Sequence, residues 1–186
     1  MAEDSQSGPR IVLAFQNYTQ PFDAEKAIRR MLRIVPPKYL WGLNSIVLTN
    51  VDALSHKERE RKTWGRRRVT LGEALGYYTP EWSGGSAHIT ILMDNLEKRL
   101  GKWQHFGFAR DAAVAELLFH ELGHHIHEVH KPKYEDKEDV ADKWSKKFTI
   151  KFLRDRYWYL LPVAAPVALI NALVGDIARR WRKFRA

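Results

Sequence analysis

Five of the chain's eight histidines fall between His120 and His130, inside the stretch AELLFHELGHHIHEVH that begins at Ala115. Three residues there, His120, Glu121 and His124, spell H-E-x-x-H. On a helix, positions four apart lie on one face, a turn from each other. His120 and His124 can then offer ring nitrogens to a single cation. Glu121 sits about 100° further round, within reach of a water on that cation. Two imidazoles suit Zn²⁺, and a neighbouring carboxylate can take a proton from water that zinc has acidified.

A third donor has two sources. His130 follows His120 by ten residues, the spacing of the metzincin pattern H-E-x-x-H-x-x-G-x-x-H. The glycine of that pattern is His127 here, so the sharp turn that would bring His130 round is not provided for. The methionine turn is also missing downstream, because Met1, Met31 and Met93 all precede the motif. The acidic alternative is EDVAD, Glu138–Asp142. Glu138 and Asp142 stand one helical turn apart, so both can face the histidine helix. Glu138 would complete a two-histidine, one-glutamate site. Asp142 could accept the second ring N–H of a ligand histidine, fixing its tautomer. Ala141 is small enough to let two helices approach. Glu135 and Asp139 repeat the spacing one register earlier, but that frame puts Glu138 where the small residue should be.

Taken together, HELGHH and the later E-x-x-A-D-x-W resemble the gluzincin zinc peptidases, in particular the minimal kind: minigluzincins and ImmA/IrrE-type proteases. The likeness spans residues 10–155, and its specific motifs occupy 120–124 and 138–144. It implies a hydrolase of peptide bonds acting on a protein or peptide substrate. It implies zinc on His120, His124 and Glu138, with Glu121 as general base and Asp142 behind a ligand. In such proteins a β-strand borders the cleft and pairs with extended substrate, a role that would fall on His88, Ile89, Thr90, Ile91 and Leu92. For the second donor to the oxyanion, Tyr77, Tyr78, Tyr134, His127 and His130 all stay open. Some members are latent or regulatory, so the alternative is a zinc-retaining binding module, associated with nucleic acid, that cleaves little.

The elements that must position these residues are legible in outline. RIVLAF (Arg10–Phe15) and SIVLTNV (Ser45–Val51) read as strands. Asp23 can cap a helix through AEKAIRRMLRIV, stopped by Pro36-Pro37. LGYYTPEW and SAHITILMDNL flank Ser83-Gly84-Gly85 as a hairpin. Within it Ile89, Ile91 and Met93 alternate with His88, Thr90 and Leu92, the period of a half-buried strand. Asp111 is the expected N-cap of the motif helix, whose apolar arc is Val114, Leu118, Leu122, Ile126 and Val129. That helix cannot pass Pro132 without strain, and a second begins near Tyr134–Asp136. The expectation is an α+β, zincin-like fold with a small mixed sheet packed on the H-E-x-x-H helix and further C-terminal helices. Residues 1–9 read as a tail, 10–155 as the metallopeptidase domain and 156–186 as an apolar, then basic, extension. His125 reads as a hydrogen-bonded, partly buried side chain.

Composition narrows the setting. No cysteine is present, which excludes disulfides and thiolate metal sites and accords with a reducing, cytoplasmic location. MAEDSQSGPR lacks the basic and apolar regions of a secretory signal. The formal charge of +9 points to an anionic partner, nucleic acid or a membrane surface, through Lys57–Arg68 and Arg179–Arg185. Trp158–Gly175 carries no charge and sits at the lower length limit for a membrane span, but Pro162, Pro166 and Asn171 interrupt it. Burial in the protein and association with a membrane or partner both stay open for that segment.

Overall fold

The computed structural model describes residues 8–63, 69–81, 85–130 and 136–160. The chain divides into two compact units, Met1–Phe152 and Leu153–Ala186. Residues 64–68 of the basic run 57–68, residues 161–175 of the apolar segment 158–175 and the whole basic end 179–185 lie outside the described residues, as do Tyr134 and Glu135.

Strand β1 (Arg10–Ala14) leads to helix α1 (Ala24–Leu32), then β2 (Ser45–Thr49) and the short α2 (His56–Glu60). Next come β3 (Gly76–Thr79), β4 (His88–Leu92), α3 (Met93–Leu100), α4 (Gly107–His130) and α5 (Lys137–Tyr157). The four strands form one mixed sheet in the order β1-β2-β4-β3. β1 and β4 run parallel to β2, while β3 is antiparallel to β4. The fold is therefore α+β with a small mixed sheet, as composition and pattern anticipate.

Local chemistry explains the helix ends. The Asp23 carboxylate accepts from the Lys26 amide at 2.8 Å and opens α1, which buries Ala24, Ala27, Ile28 and Met31. Ser55 and Glu58 form a reciprocal capping box on α2. Asp136 opens α5 by accepting from the Glu138 amide at 2.9 Å. Asp111, expected to cap the motif helix, lies inside it instead. The Arg110 amide already donates to the Phe106 carbonyl at 3.0 Å, so α4 starts at Gly107, and Asp111 is buried beside Arg110 at 3.5 Å.

β4 corrects a second expectation. Its alternation suggests one wet face, yet Thr90 and Leu92 are buried along with Ile89 and Ile91. The strand is internal, with β2 on one edge and β3 on the other, and α4 packs against β3 and β4. Met93 leaves the sheet altogether as the first residue of α3. The anticipated arc of α4 does enter the core: Val114, Leu118, Leu122 and Ile126 are all buried.

Candidate metal centre

α4 and α5 run antiparallel in close contact, and that contact builds the site. Ser145 Oγ donates to the Glu116 carbonyl at 2.9 Å, and Phe119 meets Phe148 at 5.4 Å between ring centroids. Nearer the motif the approach tightens. A β-carbon placed on Gly123 would stand 2.5 Å from Ala141 Cα and 2.9 Å from its carbonyl oxygen. Only a residue with no side chain fits there. Ala141 was legible in the sequence as the small partner, whereas Gly123 was overlooked. Its signal is a glycine inside a confident helix, which costs about 1 kcal/mol against alanine and asks for a packing reason.

This closeness brings His120, His124 and Glu138 to one point. One ligand atom from each lies within 4.8 Å of the others. Glu138 Oε2 is 3.7 Å from His120 Nε2 and 3.9 Å from His124 Nε2. On the far side of its ring, His120 Nδ1 lies 3.1 Å from Asp142 Oδ1. A carboxylate only accepts, so Nδ1 donates to Asp142, and Nε2 is the ring nitrogen that faces Glu138. Burial beside His120 and Lys137 holds His124 far below the usual imidazole range, at about 3, so the His124 ring is neutral.

The site therefore gathers two imidazoles and the carboxyl group of Glu138 around one point. Two nitrogens and one oxygen are a donor set that Zn²⁺ accepts. Donors about 2.0–2.1 Å from a tetrahedral ion stand roughly 3.3–3.4 Å apart. The two Glu138 separations of 3.7 and 3.9 Å need a contraction of about half an ångström, and all three ligand atoms already lie within 4.8 Å of one another. The residues fit the ion.

Glu121 is buried next to these ligands, and its carboxyl is pushed up to about 8, first by burial and secondarily by Glu138. A backbone hydrogen bond from Tyr78 pulls the other way. Tyr78 also anchors the strand edge to the helix. His125 Nε2 lies 3.0 Å from the Trp41 carbonyl, and Nδ1 lies 3.1 Å from the Tyr78 hydroxyl. The carbonyl can only accept, so Nε2 donates and the Tyr78 hydroxyl donates to Nδ1. The buried, doubly bonded His125 matches the sequence reading. Trp41 could not have been foreseen, because it acts through its backbone.

The other candidates separate cleanly. His130 is exposed and packs edge-on against Tyr39 at 5.7 Å, outside the ligand cluster. Tyr39 also meets Trp144 at 4.6 Å, which places the tryptophan of E-x-x-A-D-x-W in an aromatic cluster. Tyr77 is half-buried and bonds to Thr90. His127 Nδ1 is buried with no hydrogen-bond partner among the described residues.

The strand expected to receive substrate does not qualify. His88, Ile89, Thr90, Ile91 and Leu92 belong to β4, whose two edges are occupied by β2 and β3. No backbone hydrogen-bonding groups are left on that strand for a peptide. Among the described residues, the outer edge of the sheet beside the motif helix belongs to β3. The Leu92 amide donates to the Leu75 carbonyl at 2.8 Å, so Leu75, Tyr77 and Thr79 face β4. Gly76 and Tyr78 then turn their backbone groups outward.

No family model, curated protein or solved structure matches the chain.

Proposed function

We propose that the chain is a zinc-dependent endopeptidase of the minimal gluzincin type, with a zincin-like pairing of sheet edge and motif helix. The observation that carries this reading is the convergence of His120, His124 and Glu138, with Asp142 on the back of His120 and Glu121 buried alongside. A purely structural metal would have no use for Glu121.

A bound Zn²⁺ would supply Lewis acidity toward water and the scissile carbonyl. Asp142 holds His120 in the tautomer that leaves Nε2 free. Glu121 takes the proton of the attacking water and returns it to the leaving amine. A dication beside it would draw its raised pKa back toward the carboxylate range, into the form that accepts a proton. An extended peptide would add to the outward edge of β3 through the Gly76 backbone and the Tyr78 carbonyl, since the Tyr78 N–H already donates to Glu121. His127 lies on the ligand face of α4, three residues after His124, and is the uncommitted candidate for steadying the oxyanion.

The test is cleavage of casein with zinc, with and without chelator, by wild type and Glu121→Gln, alongside elemental analysis. Chelator-sensitive cleavage that Glu121→Gln abolishes while retaining zinc is expected. Cleavage that survives in Glu121→Gln would overturn the mechanism. Zinc lost in His130→Ala but kept in Glu138→Ala would overturn the ligand set.

A further inference from the structure

Away from the metal centre, α3 ends at Leu100 and a 3-10 turn follows over Gly101–His105. Gly101 takes a positive φ of 51°, which reverses the chain and presents the next residues to solvent. Trp103 is 64% exposed, Phe106 60% and Phe108 48%. The Phe106 amide donates to the Trp103 carbonyl at 3.0 Å, and this bond holds the two rings 5.6 Å apart. Large apolar side chains grouped on a surface mark a contact site more often than scattered ones do.

The surrounding charge is one-sided. From Lys98 to Arg110 the sequence contains no acidic residue. Lys98, Arg99 and Lys102 are all exposed, and neither Arg99 nor Lys102 has an ion-pair partner among the described residues. Burial of the rings therefore requires a partner that is apolar at its centre and anionic around it. The ring geometry separates two such partners. Trp103 and Phe106 are tilted 48° to each other, so a flat base stacked on one ring leaves the other ring uncovered. An acyl–headgroup boundary accepts rings at any tilt, favours tryptophan, and sets phosphates beside the lysines and arginines.

We propose that the Lys98–Phe106 turn is a membrane-docking surface that inserts Trp103 and Phe106 into the interface of an anionic bilayer. Lys98, Arg99 and Lys102 would engage the lipid phosphates. This site is separate from the metal centre.

Vesicle flotation of the full chain tests it. The vesicles are pure phosphatidylcholine or an equimolar mixture with phosphatidylserine, and a DNA duplex serves as the competing anion. Wild type should float with the mixed vesicles and bind them more weakly as salt rises. At about five-fold per basic residue near the surface, Lys98→Glu/Arg99→Glu/Lys102→Glu should weaken binding by roughly 100-fold or more. Trp103→Ser/Phe106→Ser should weaken it at least about ten-fold while keeping the wild-type circular dichroism spectrum. Both variants floating like wild type would overturn the proposal, as would a wild-type chain that binds the duplex and ignores the vesicles.

Discussion

Replacing Gly123 with alanine tests how the site is assembled. The new β-carbon would stand 2.5 Å from Ala141 Cα and 2.9 Å from its carbonyl oxygen. Carbon atoms rest at about 3.5–4.0 Å, so the α5 backbone must withdraw by roughly 1 Å. Glu138 lies one turn before Ala141 and moves with it. The gaps from Glu138 to His120 and His124, now 3.7 and 3.9 Å, would open by a similar amount. Tetrahedral zinc needs roughly 3.3–3.4 Å, so Glu138 would leave the coordination sphere. Overpacking costs about 1–3 kcal/mol, and the gain in helix propensity returns about 1 kcal/mol. Stability should therefore fall by no more than about 2 kcal/mol. Losing a ligand should weaken zinc at least about 100-fold, beyond the 10–100-fold typical of losing a supporting contact. Competition against a chromophoric chelator measures the affinity, and thermal unfolding in excess chelator measures the fold. Wild-type zinc affinity combined with a raised Tm would refute the account of the helix contact.

Three further outcomes follow from the geometry. Asp142→Asn should lower zinc affinity about 10–100-fold, because the amide no longer accepts strongly from His120 Nδ1 at 3.1 Å; unchanged affinity in the same competition assay would remove Asp142 from the site. Tyr78→Phe deprives buried His125 of its hydroxyl donor and should cost about 1–3 kcal/mol in urea unfolding, with no loss of zinc. The chelator-treated protein should be most stable near the point where its titrating groups change sign. Glu121, raised from 4.5 to about 8, binds a proton more tightly when folded, so stability rises as pH falls through about 8. His124, lowered from 6.5 to about 3, and His125, also lowered by burial, remain neutral when folded, so stability is lost as pH falls below about 6.5. Below about 6.5 the His124 loss offsets the Glu121 gain, and the lowered His125 tips the balance toward a fall in stability. Urea titrations across pH should show a maximum near 6.5, and a monotonic profile would contradict it.

The ligand cluster could be read in advance because helical periodicity converts spacing directly into a shared face. His120 and His124 need only one helix, and Glu138 and Asp142 only one more. Sheet order has no such signature. β4 is flanked by β2 and β3 because the parallel β2–β4 pair is closed over some forty intervening residues, a pairing that no local pattern encodes. The arm that sequence offers as a substrate edge, His88–Leu92, is consequently the internal one of the pair. Asp111 misled for a different reason: it is an excellent cap by type, but Gly107–Arg110 upstream already follows helical geometry. The contributions of Trp41 and Gly123 depend on a carbonyl and on a missing side chain, which residue type does not advertise.

Every donor of the cluster lies on a single helical hairpin, Gly107–Tyr157, whereas the parallel strands must be gathered from across the chain. Closing so short a loop costs little entropy, and contacts near in sequence form sooner than remote ones. An ion captured there could clip the hairpin together while the sheet is still unassembled, giving the refolding chain an early nucleus.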